Sequence, residues 1–460
     1  MKNLVASVNS LVEERLPDLL LLLEDCLKIP SLSRQEGPLA DLLLSLFQKE
    51  NIPAARTPRG SVLALLVPEN AARISSESHT GGFSETPTPA EGSDGPDAGC
   101  PMNLLKKSVA MSRSNGLALL AFNAHMDVVE PGEETRWENP PFDATIKGER
   151  VYGRGTCDMK GALAAMALSL VLGRQLSSHH PLKRAVLACF VTEEEVGEGL
   201  AFKEILCGLG FRPDAVILGE PSEMQIARGQ RGKLEFFLRA AGKRAHTSVP
   251  EVGENAAYKI ARAILAVEAL DRGEYRTVGP APAHIMERST LVATSFRTIP
   301  FTKSSVPDAA EAHVTVRLAK GENFETIKEK LRQRGTWPDV AVELVTYRGD
   351  SYTGQPSEWP ANHPAWEIPK DHPFFSFLKE TTTAVLDREP ADRIWPFSTD
   401  GVVSAGQEKI PTLGIGPGRE DVAHIADEYV EIGQLREALA LYSILPFAHG
   451  NFEGAKAPSF

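Results

Sequence analysis

Apolar and polar residues are arranged along the chain in two different ways. Apolar residues dominate residues 61–68, 117–122, 184–192 and 215–220. Strands of this kind are typical of a parallel sheet that helices cover on both faces. Leucines at helical spacing predict helices over residues 2–28 and 36–50, and a third helix is predicted over 161–176. The fold class indicated is therefore α/β, with a mostly parallel mixed sheet and helices on both of its faces.

The pattern changes after residue 222. Residues 233–243 alternate between apolar and polar, as in a strand with one exposed face. A helix, two strands, a second helix and a further strand are predicted from there to residue 349. We therefore predict a separate α+β domain with a small antiparallel sheet over residues 223–349. It would be inserted into a larger domain formed by residues 1–222 and 350–460.

One segment departs from both patterns. Most of residues 70–114 is rich in Ser, Gly, Pro, Thr and Glu and poor in large apolar residues. Such a segment buries too little surface to offset the entropy lost on ordering. We predict a surface insertion there that takes no part in the chemistry, with its histidine, His79, in solvent.

Composition excludes several classes of function. A length of 460 residues predicts two or three domains, and a net charge of −12 argues against a nucleic-acid partner. The leucine-rich stretch near the N-terminus is too short to cross a bilayer, so no membrane partner is expected. Five cysteines without a C-x-x-C pair fit reduced thiols in a cytoplasmic protein.

Polar residues that can do chemistry follow the apolar strands. His125 and Asp127 come after the strand at 117–122, and residues two apart in an extended chain share a face. Asp158 stands in "GRGTCDMKG", at the entrance to a predicted helix. Taken singly, a bonded histidine–acid pair and a helix cap explain these residues as well as any active site does.

Further acidic and histidine residues occur at the ends of later strands. Three consecutive carboxylates, residues 193–195, follow the strand at 184–192; Glu220 ends the strand at 215–220; and His424 lies in "GPGREDVAH". Sites in parallel sheets form at the carboxyl ends of strands. Together the side chains offer a mixed N/O ligand set that suits Zn²⁺, with Mn²⁺ or Co²⁺ as alternatives. Two metals that share one carboxylate would account for the number of acids.

Taken in order, these motifs resemble the M20 metallopeptidase and deacylase family. Acetylornithine deacetylase, succinyl-diaminopimelate desuccinylase and carboxypeptidase G2 belong to it. The resemblance runs through "IPSLS", "HMDVV", "GRGTCDMKG", "TEEEVG", "GEPS", "GKRAHTSVPEVGENA", "VPDAAEAHVTVRL" and "GPGREDVAH". It implies a catalytic domain of the zinc-exopeptidase type and a ferredoxin-like small domain that serves as lid and dimer interface. The expected assembly is a homodimer through residues 223–349.

The resemblance implies a centre of two Zn²⁺ ions, for which Co²⁺ or Mn²⁺ can substitute. His125 and Glu220 would bind one ion, Glu195 and His424 the other, and Asp158 would bridge them. Asp127 would bond the ring of His125 and fix its orientation. Glu194 would be the general base that takes a proton from water and gives one to the leaving nitrogen.

The family also implies residues that contact the substrate. His246 would reach an active site, often that of the partner subunit, to stabilise the oxyanion. Arg317 would hold a substrate carboxylate, although the same residue could simply be a surface arginine on a strand. Ser398 in "WPFSTDG" and Gly418 in "GIGPGRE" are further expected contacts.

The substrate is less well defined than the metal site. The family's Asn-Val-Ile-Pro sequence is replaced by residues 304–307, Ser-Ser-Val-Pro, and its usual aspartate two positions before Arg317 is Thr315. "WPFSTDG" with "GIGPGRE" looks most like a branch of hydrolases linked to selenium metabolism.

We expect a metal-dependent hydrolase that cleaves an amide bond of a small N-acyl amino acid or peptide. The alternatives are a carbamoyl or ureido amidohydrolase acting on nucleobase-derived substrates, and a catalytically inactive binding protein. The presence of Glu194 argues against the inactive protein.

Overall fold

A computed structural model describes residues 2–68, 100–275, 285–299, 301, 303–335, 337 and 339–450. Its α-helices are α1 (Lys2–Leu27), α2 (Gly37–Lys49), α3 (Pro101–Ser114), α4 (Gly161–Ser177), α5 (Leu200–Lys203), α6 (Ala256–Leu270), α7 (Phe324–Gln333), α8 (Pro373–Leu386) and α9 (Ile432–Ile444). The helices expected over 2–28, 36–50 and 161–176 are confirmed as α1, α2 and α4. Asn255 caps α6, and Asn323 with Thr326 forms a capping box that starts α7.

The strands of the described residues lie in four sheets. They are β1 (Ala54–Arg56), β2 (Val62–Leu66), β3 (Ala118–His125), β4 (Thr145–Lys147), β5 (Arg150–Tyr152), β6 (Arg184–Val191), β7 (Ala215–Leu218), β8 (Ile226–Gln230), β9 (Gly232–Ala241), β10 (Thr290–Thr298), β11 (Ala309–Leu318), β12 (Val340–Leu344), β13 (Thr346–Asp350), β14 (Pro356–Pro360), β15 (Asn362–His363), β16 (Trp366–Glu367), β17 (Asp392–Trp395), β18 (Thr412–Gly414) and β19 (Tyr429–Glu431). Short helical turns cover Glu134–Arg136, Thr156–Lys160, Glu204–Gly208, Pro250–Val252, Asp271–Tyr275, Ile285–Glu287, Val402–Gln407 and Glu420–Val422.

The largest sheet has nine strands in the order β1-β2-β6-β3-β7-β18-β8-β16, with β17 paired to β8. Its centre is parallel, because β3 runs parallel to β6 and β7, and β18 runs parallel to β7. The outer pairs β1–β2, β2–β6 and β16–β8 are antiparallel. This is the mixed, mostly parallel α/β sheet that the apolar runs predict.

Apolar side chains cover both faces of this sheet. Leu120, Phe122 and Ala124 of β3 belong to one buried cluster, which also contains residues of α1, α2, α4 and α9. Leu119 and Ala121 of the same strand point into a second cluster, to which α3 contributes. All eight residues of β3 are buried. Continuous apolar sequence in this strand is therefore explained by packing on two faces rather than one.

A second sheet has the order β10-β11-β9-β12, with β15 paired to β9. α6 and α7 pack on it around Leu234, Phe236 and Val314. This sheet begins at residue 232 and ends at residue 363, whereas the sequence predicted a small domain over residues 223–349. We call residues 232–363 the small unit. β8, inside the expected range, belongs to the large sheet, where Arg228 and Gln230 are buried with polar partners. Because β8 contains these two polar residues, its sequence does not show the apolar run that identified the other strands of the large sheet.

The predicted insertion at 70–114 is wrong for its last part. Residues 101–114 form α3, whose Leu104, Leu105 and Val109 are buried. Two lysines and several serines around these positions hid a short apolar stripe in a polar segment. Residues 69–99, including His79, lie outside the described residues.

Among the described residues, one helical stretch, Thr156–Ser177, is long and apolar enough to cross a membrane by length and composition alone. Its most apolar window has a mean hydropathy of 1.3, and 94% of that window is buried inside the protein. The stretch contains α4, which packs against α1 and α9 in the first buried cluster. Burial of this extent identifies it as a core helix.

Candidate metal centre

Three parallel strands end beside one another in the large sheet. β3 lies between β6 and β7, and the three end at His125, Val191 and Leu218. The segments that follow β6 and β7 carry Glu194, Glu195 and Glu220 to the same edge. Adjacency of the strands therefore brings the histidine of "HMD" and the later carboxylates together.

Asp158 lies between two imidazoles. Its Oδ1 is 2.9 Å from Nε2 of His125, and its Oδ2 is 3.1 Å from Nε2 of His424. The same nitrogen of His424 is 3.1 Å from Oε1 of Glu195. Oε1 of Glu220 lies 3.9 Å from Nε2 of His125. One carboxylate thus presents one oxygen to each of two histidines, with a further acid on either side.

The segment that carries Asp158 is fixed by a buried acid that the sequence did not single out. Oε1 of Glu428 accepts the backbone N–H groups of Cys157 (2.8 Å) and Asp158 (3.0 Å), and its Oε2 is 2.5 Å from Nη1 of Arg154. Glu428 and Arg154 are almost completely buried. The only sequence signal was an acidic residue next to an apolar strand, four positions after His424.

Two groups of side chains have potential ligand atoms within 4.8 Å of one another: His125 with Asp158 and Glu195, and His125 with Glu194 and Glu220. All five expected metal ligands, His125, Asp158, Glu195, Glu220 and His424, therefore lie in one cluster. Glu194 is in it too, with Oε1 buried and without a hydrogen-bond partner among the described residues.

The electrostatics of the cluster fit a site for a cation. Burial, and then repulsion from Glu220, raises the pKa of Glu194 well above its usual value. Burial and Asp158 raise the pKa of Glu195 to about 7, and hydrogen bonds to Asp158 and Glu195 raise that of His424 to about 10. A nearby cation would favour the charged forms of Glu194 and Glu195 and so offset both upward shifts. The donor set, its spacing and the unpartnered oxygen of Glu194 all fit a divalent metal.

Asp127 hydrogen-bonds the ring of His125 through its main chain and not through its side chain. Nδ1 of His125 bonds the main-chain carbonyl of Asp127 at 2.8 Å, whereas the carboxylate is 3.7 Å away. That carboxylate instead accepts the backbone N–H groups of Glu194 (3.0 Å) and Glu195 (3.1 Å) and the hydroxyl of Ser33 (2.6 Å). The expected ring bond is wrong for the side chain, because two backbone donors lie within its reach. Asp127 fixes the backbone that carries Glu194 and Glu195.

Glu193 faces away from the other two acids. Its backbone has a φ of 59°, in the left-handed region, and its side chain is buried against Arg59 at 2.9 Å and Ser357 at 3.1 Å. Its backbone N–H donates to Glu36. The three consecutive carboxylates therefore avoid mutual repulsion, because an arginine neutralises the first of them.

The four residues expected to contact the substrate lie in different parts of the structure. His246 is exposed and hydrogen-bonds the hydroxyl of Ser248 at 2.7 Å, and among the described residues it makes no hydrogen bond or ion pair with the cluster. Arg317 is half-buried on β11 of the small unit. Ser398 is buried and accepts a hydrogen bond from Gln230 at 3.2 Å. Gly418 has a φ of +97°, and a Cβ there would come within 2.6 Å of the Cys157 sulfur.

A further buried acid, Asp400, stands behind the centre. Its Oδ2 accepts the amide of Asn123 and its Oδ1 accepts the N–H of Gly199, both at 2.7 Å. Burial raises the pKa of Asp400 to about 6, and Asn123 opposes this shift. "WPFSTDG" contained this residue, but nothing in the sequence paired it with an asparagine 277 positions away.

Comparison with known proteins identifies the family of the chain. The sequence model of peptidase family M20/M25/M40 matches residues 121–446. The uncharacterized protein YgeY of Escherichia coli K12 is 28% identical over 339 residues, which cover 73% of this chain and 81% of that protein. A probable succinyl-diaminopimelate desuccinylase of Staphylococcus epidermidis is 24% identical and covers 69% of this chain and 80% of its own length.

Solved structures share the fold. The YXEP protein of Bacillus subtilis, described as a dinuclear metal-binding peptidase of the M20 family, superposes with a TM-score of 0.59 at 16% identity. That comparison covers 95% of this chain and 100% of the other. The family match spans most of the chain, from within β3 to beyond α9. The chain is therefore a member of peptidase family M20/M25/M40 and a metal-dependent hydrolase of amide bonds.

Proposed function

We propose that this chain hydrolyses the amide bond of a small N-acyl amino acid or peptide with two zinc ions and a glutamate base. The observation that carries the proposal is the position of Asp158, whose two oxygens face His125 and His424 separately. A carboxylate placed between two histidines in this way is suited to bridge two cations.

The ligands divide naturally around that bridge. His125 and Glu220 would hold one ion, and Glu195 and His424 the other, because each pair lies within 4 Å across a nitrogen and an oxygen. Ions held there would lower the pKa of a water and polarise the scissile carbonyl. Glu428 and Arg154 keep Asp158 in place from behind.

Glu194 is positioned to move the proton. Its side chain is buried beside His125 and Glu220, its backbone N–H is held by Asp127, and its Oε1 has no hydrogen-bond partner among the described residues. A free carboxylate oxygen that faces the cluster can take a proton from the attacking water and pass it to the leaving nitrogen.

The test uses the zinc-reconstituted chain with a panel of N-acetyl, N-succinyl and N-carbamoyl amino acids and dipeptides. We expect hydrolysis of an N-acyl amino acid or dipeptide, and Glu194→Ala should keep its zinc while kcat falls by about 10²–10⁴-fold. Turnover confined to N-carbamoyl substrates would support the carbamoyl amidohydrolase. Persistent turnover in Glu194→Ala would show that another residue is the base.

The small unit supports a homodimer. β10 is the edge strand of its sheet and exposes Val292 and Phe296, and α6 exposes Tyr258 and Leu265. An apolar edge strand is a ready surface for pairing with a second chain. His246 is in the same unit and outside its own chain's cluster, so we propose that it acts at the partner's site.

A further inference from the structure

The residues that do the proposed chemistry lie on a short turn, residues 193–198, that is held at both ends. We call this the catalytic turn. At its start Glu193 is bound by Arg59 and Ser357. At its end Glu198 is buried, and it bonds residues from the small unit. The general base and a metal ligand, Glu194 and Glu195, are the residues between these two anchors.

Glu198 contacts residues on three strands of the small unit, β9, β14 and β15. Its Oε1 accepts a hydrogen bond from Nζ of Lys233 at 2.8 Å, and its Oε2 is 3.2 Å from Nε2 of His363. Its main-chain carbonyl accepts the indole N–H of Trp359 at 2.9 Å. One residue of the catalytic turn thus contacts three residues that the chain supplies on its way into and out of the small unit.

Lys233 and His363 lie at the two places where the chain crosses between the large sheet and the small unit. Lys233 is near the start of β9, directly after the large-sheet strand β8, and His363 ends β15, just before the chain returns to the large sheet in β16. The two residues are register partners across the β9–β15 pair. Because they lie side by side on paired strands, any shift of the β9–β15 pair against the large sheet displaces both partners of Glu198 together.

The contact is largely buried, so water has little access to replace the hydrogen bonds that are lost when one side chain is removed. The side chains of Glu198 and His363 are 9% and 0% exposed, and that of Lys233 is 18% exposed. Removal of Lys233 therefore leaves the buried Glu198 carboxylate without its ammonium partner. Lys233 also lies 3.3 Å from Glu235, whose carboxylate accepts the hydroxyl of Tyr347.

The hydrogen bonding between Glu198 and His363 is incomplete. Oε2 of Glu198 and both ring nitrogens of His363 are buried without an aligned hydrogen bond to any described residue. The ring of His363 lies beside Tyr347 and Trp359. A small shift of β15 against the catalytic turn would therefore improve the contact rather than break it.

The geometry points to a positioning role for Glu198 and Lys233: their buried pair, with His363, couples the position of the small unit to that of the catalytic turn. Movement of the unit onto a substrate would then set the Glu194 carboxylate for proton transfer. The inference rests on the proposed function, in which Glu194 is the base.

The test compares kcat and KM of the zinc-loaded full-length chain on the panel substrate that it hydrolyses fastest. We expect Glu198→Gln and Lys233→Met each to lower kcat about 10- to 100-fold, since displacement of a reacting group by about 1 Å costs about that much. KM should change by less than about threefold, because the substrate contacts remain. Lys233→Arg, which keeps the charge, should restore most of kcat.

Two further variants separate positioning from loss of structure. Glu198→Gln combined with Lys233→Met should have a kcat no lower than that of either single variant, because both members of the pair are then neutral. Arg239→Met is the matched control. Arg239 lies on β9, as Lys233 does, but far from the catalytic turn, and the change removes its ion pairs to Glu311 and Glu343. It should leave kcat unchanged.

Hydrogen exchange supplies a readout that does not depend on turnover. Lys233→Met should speed exchange across residues 193–199, although the changed residue is in the other unit, and Arg239→Met should not. Wild-type kcat in both single variants, with only a lower melting temperature, would overturn the coupling. So would an additive loss in the double variant. Failure of the proposed function is distinguishable, because Glu194→Ala would then remain active.

Discussion

At the scale of single residues, the centre depends on acids that hold backbone rather than metal. Asp127 accepts the N–H groups of Glu194 and Glu195, and Glu428 accepts those of Cys157 and Asp158. Each acid therefore fixes the backbone of a segment whose side chains enter the cluster. Charge-assisted hydrogen bonds of this type are stronger than neutral ones, which suits them to hold a strained or repulsive arrangement.

Replacement of Asp127 tests this role. Asp127→Asn leaves one oxygen for two backbone donors and turns an amide N–H₂ towards one of them. We expect kcat to fall about 10- to 100-fold with two zinc ions still bound, as is typical for residues behind a metal site. Ser33→Ala, which removes only the hydroxyl bonded to Asp127, is the matched control and should stay within about threefold of wild type. Equal kcat in Asp127→Asn and wild type would refute the role.

Zinc affinity should depend steeply on pH. In the metal-free chain the pKa of His424 is raised to about 10 and that of Glu195 to about 7, and that of His125 is raised well above its usual value. These groups hold protons near neutral pH that they must release to bind metal, so affinity rises as pH rises. We expect a gain of about 10- to 100-fold per pH unit, equivalent to one or two protons.

Competition with a zinc chelator at several pH values measures that slope. His424→Gln removes one of the titrating ligands, so its slope should be shallower than that of the wild type by about one proton. A wild-type affinity that is independent of pH would mean that the cluster holds no exchangeable protons and would contradict the electrostatic account.

At the scale of elements, β10 and α6 form the proposed dimer interface. Both present large apolar side chains to solvent, and among the described residues β10 pairs along one edge only, with β11. A monomer would leave this surface exposed, whereas pairing of two β10 strands would bury it and satisfy the free backbone groups. His246 precedes α6 in the same unit, so a dimer brings it near a second chain.

A charge on the edge strand should separate the subunits. We expect Phe296→Glu to convert a dimer into a monomer in light scattering and to lower kcat with zinc content unchanged, because His246 would lose the partner's site. Ile146→Glu, at a comparably exposed apolar residue on β4, outside the small unit, should remain dimeric and active. A wild-type chain that is monomeric and active would rule out both the dimer and the action of His246 across it.

At the scale of the whole molecule, local patterns predicted the sheet and the side chains that cluster at its edge, but not the residues that hold those side chains in place. Strands with apolar residues on both faces indicated the parallel centre, and their carboxyl ends located His125, Glu195 and Glu220, because those positions follow from one stretch of chain at a time. The partners of Glu428, Glu193 and Glu198 lie 274, 134 and 35 positions away from them in sequence. A single sequence does not pair residues at such separations.

The most direct test of the central claim is anomalous diffraction at the zinc edge from crystals of the zinc-loaded chain. The account predicts two peaks about 3.5–4 Å apart. One should lie beside His125 and Glu220, the other beside Glu195 and His424, and each should be about 2.0–2.2 Å from a different oxygen of Asp158. A single peak, or two peaks that do not share Asp158, would contradict it.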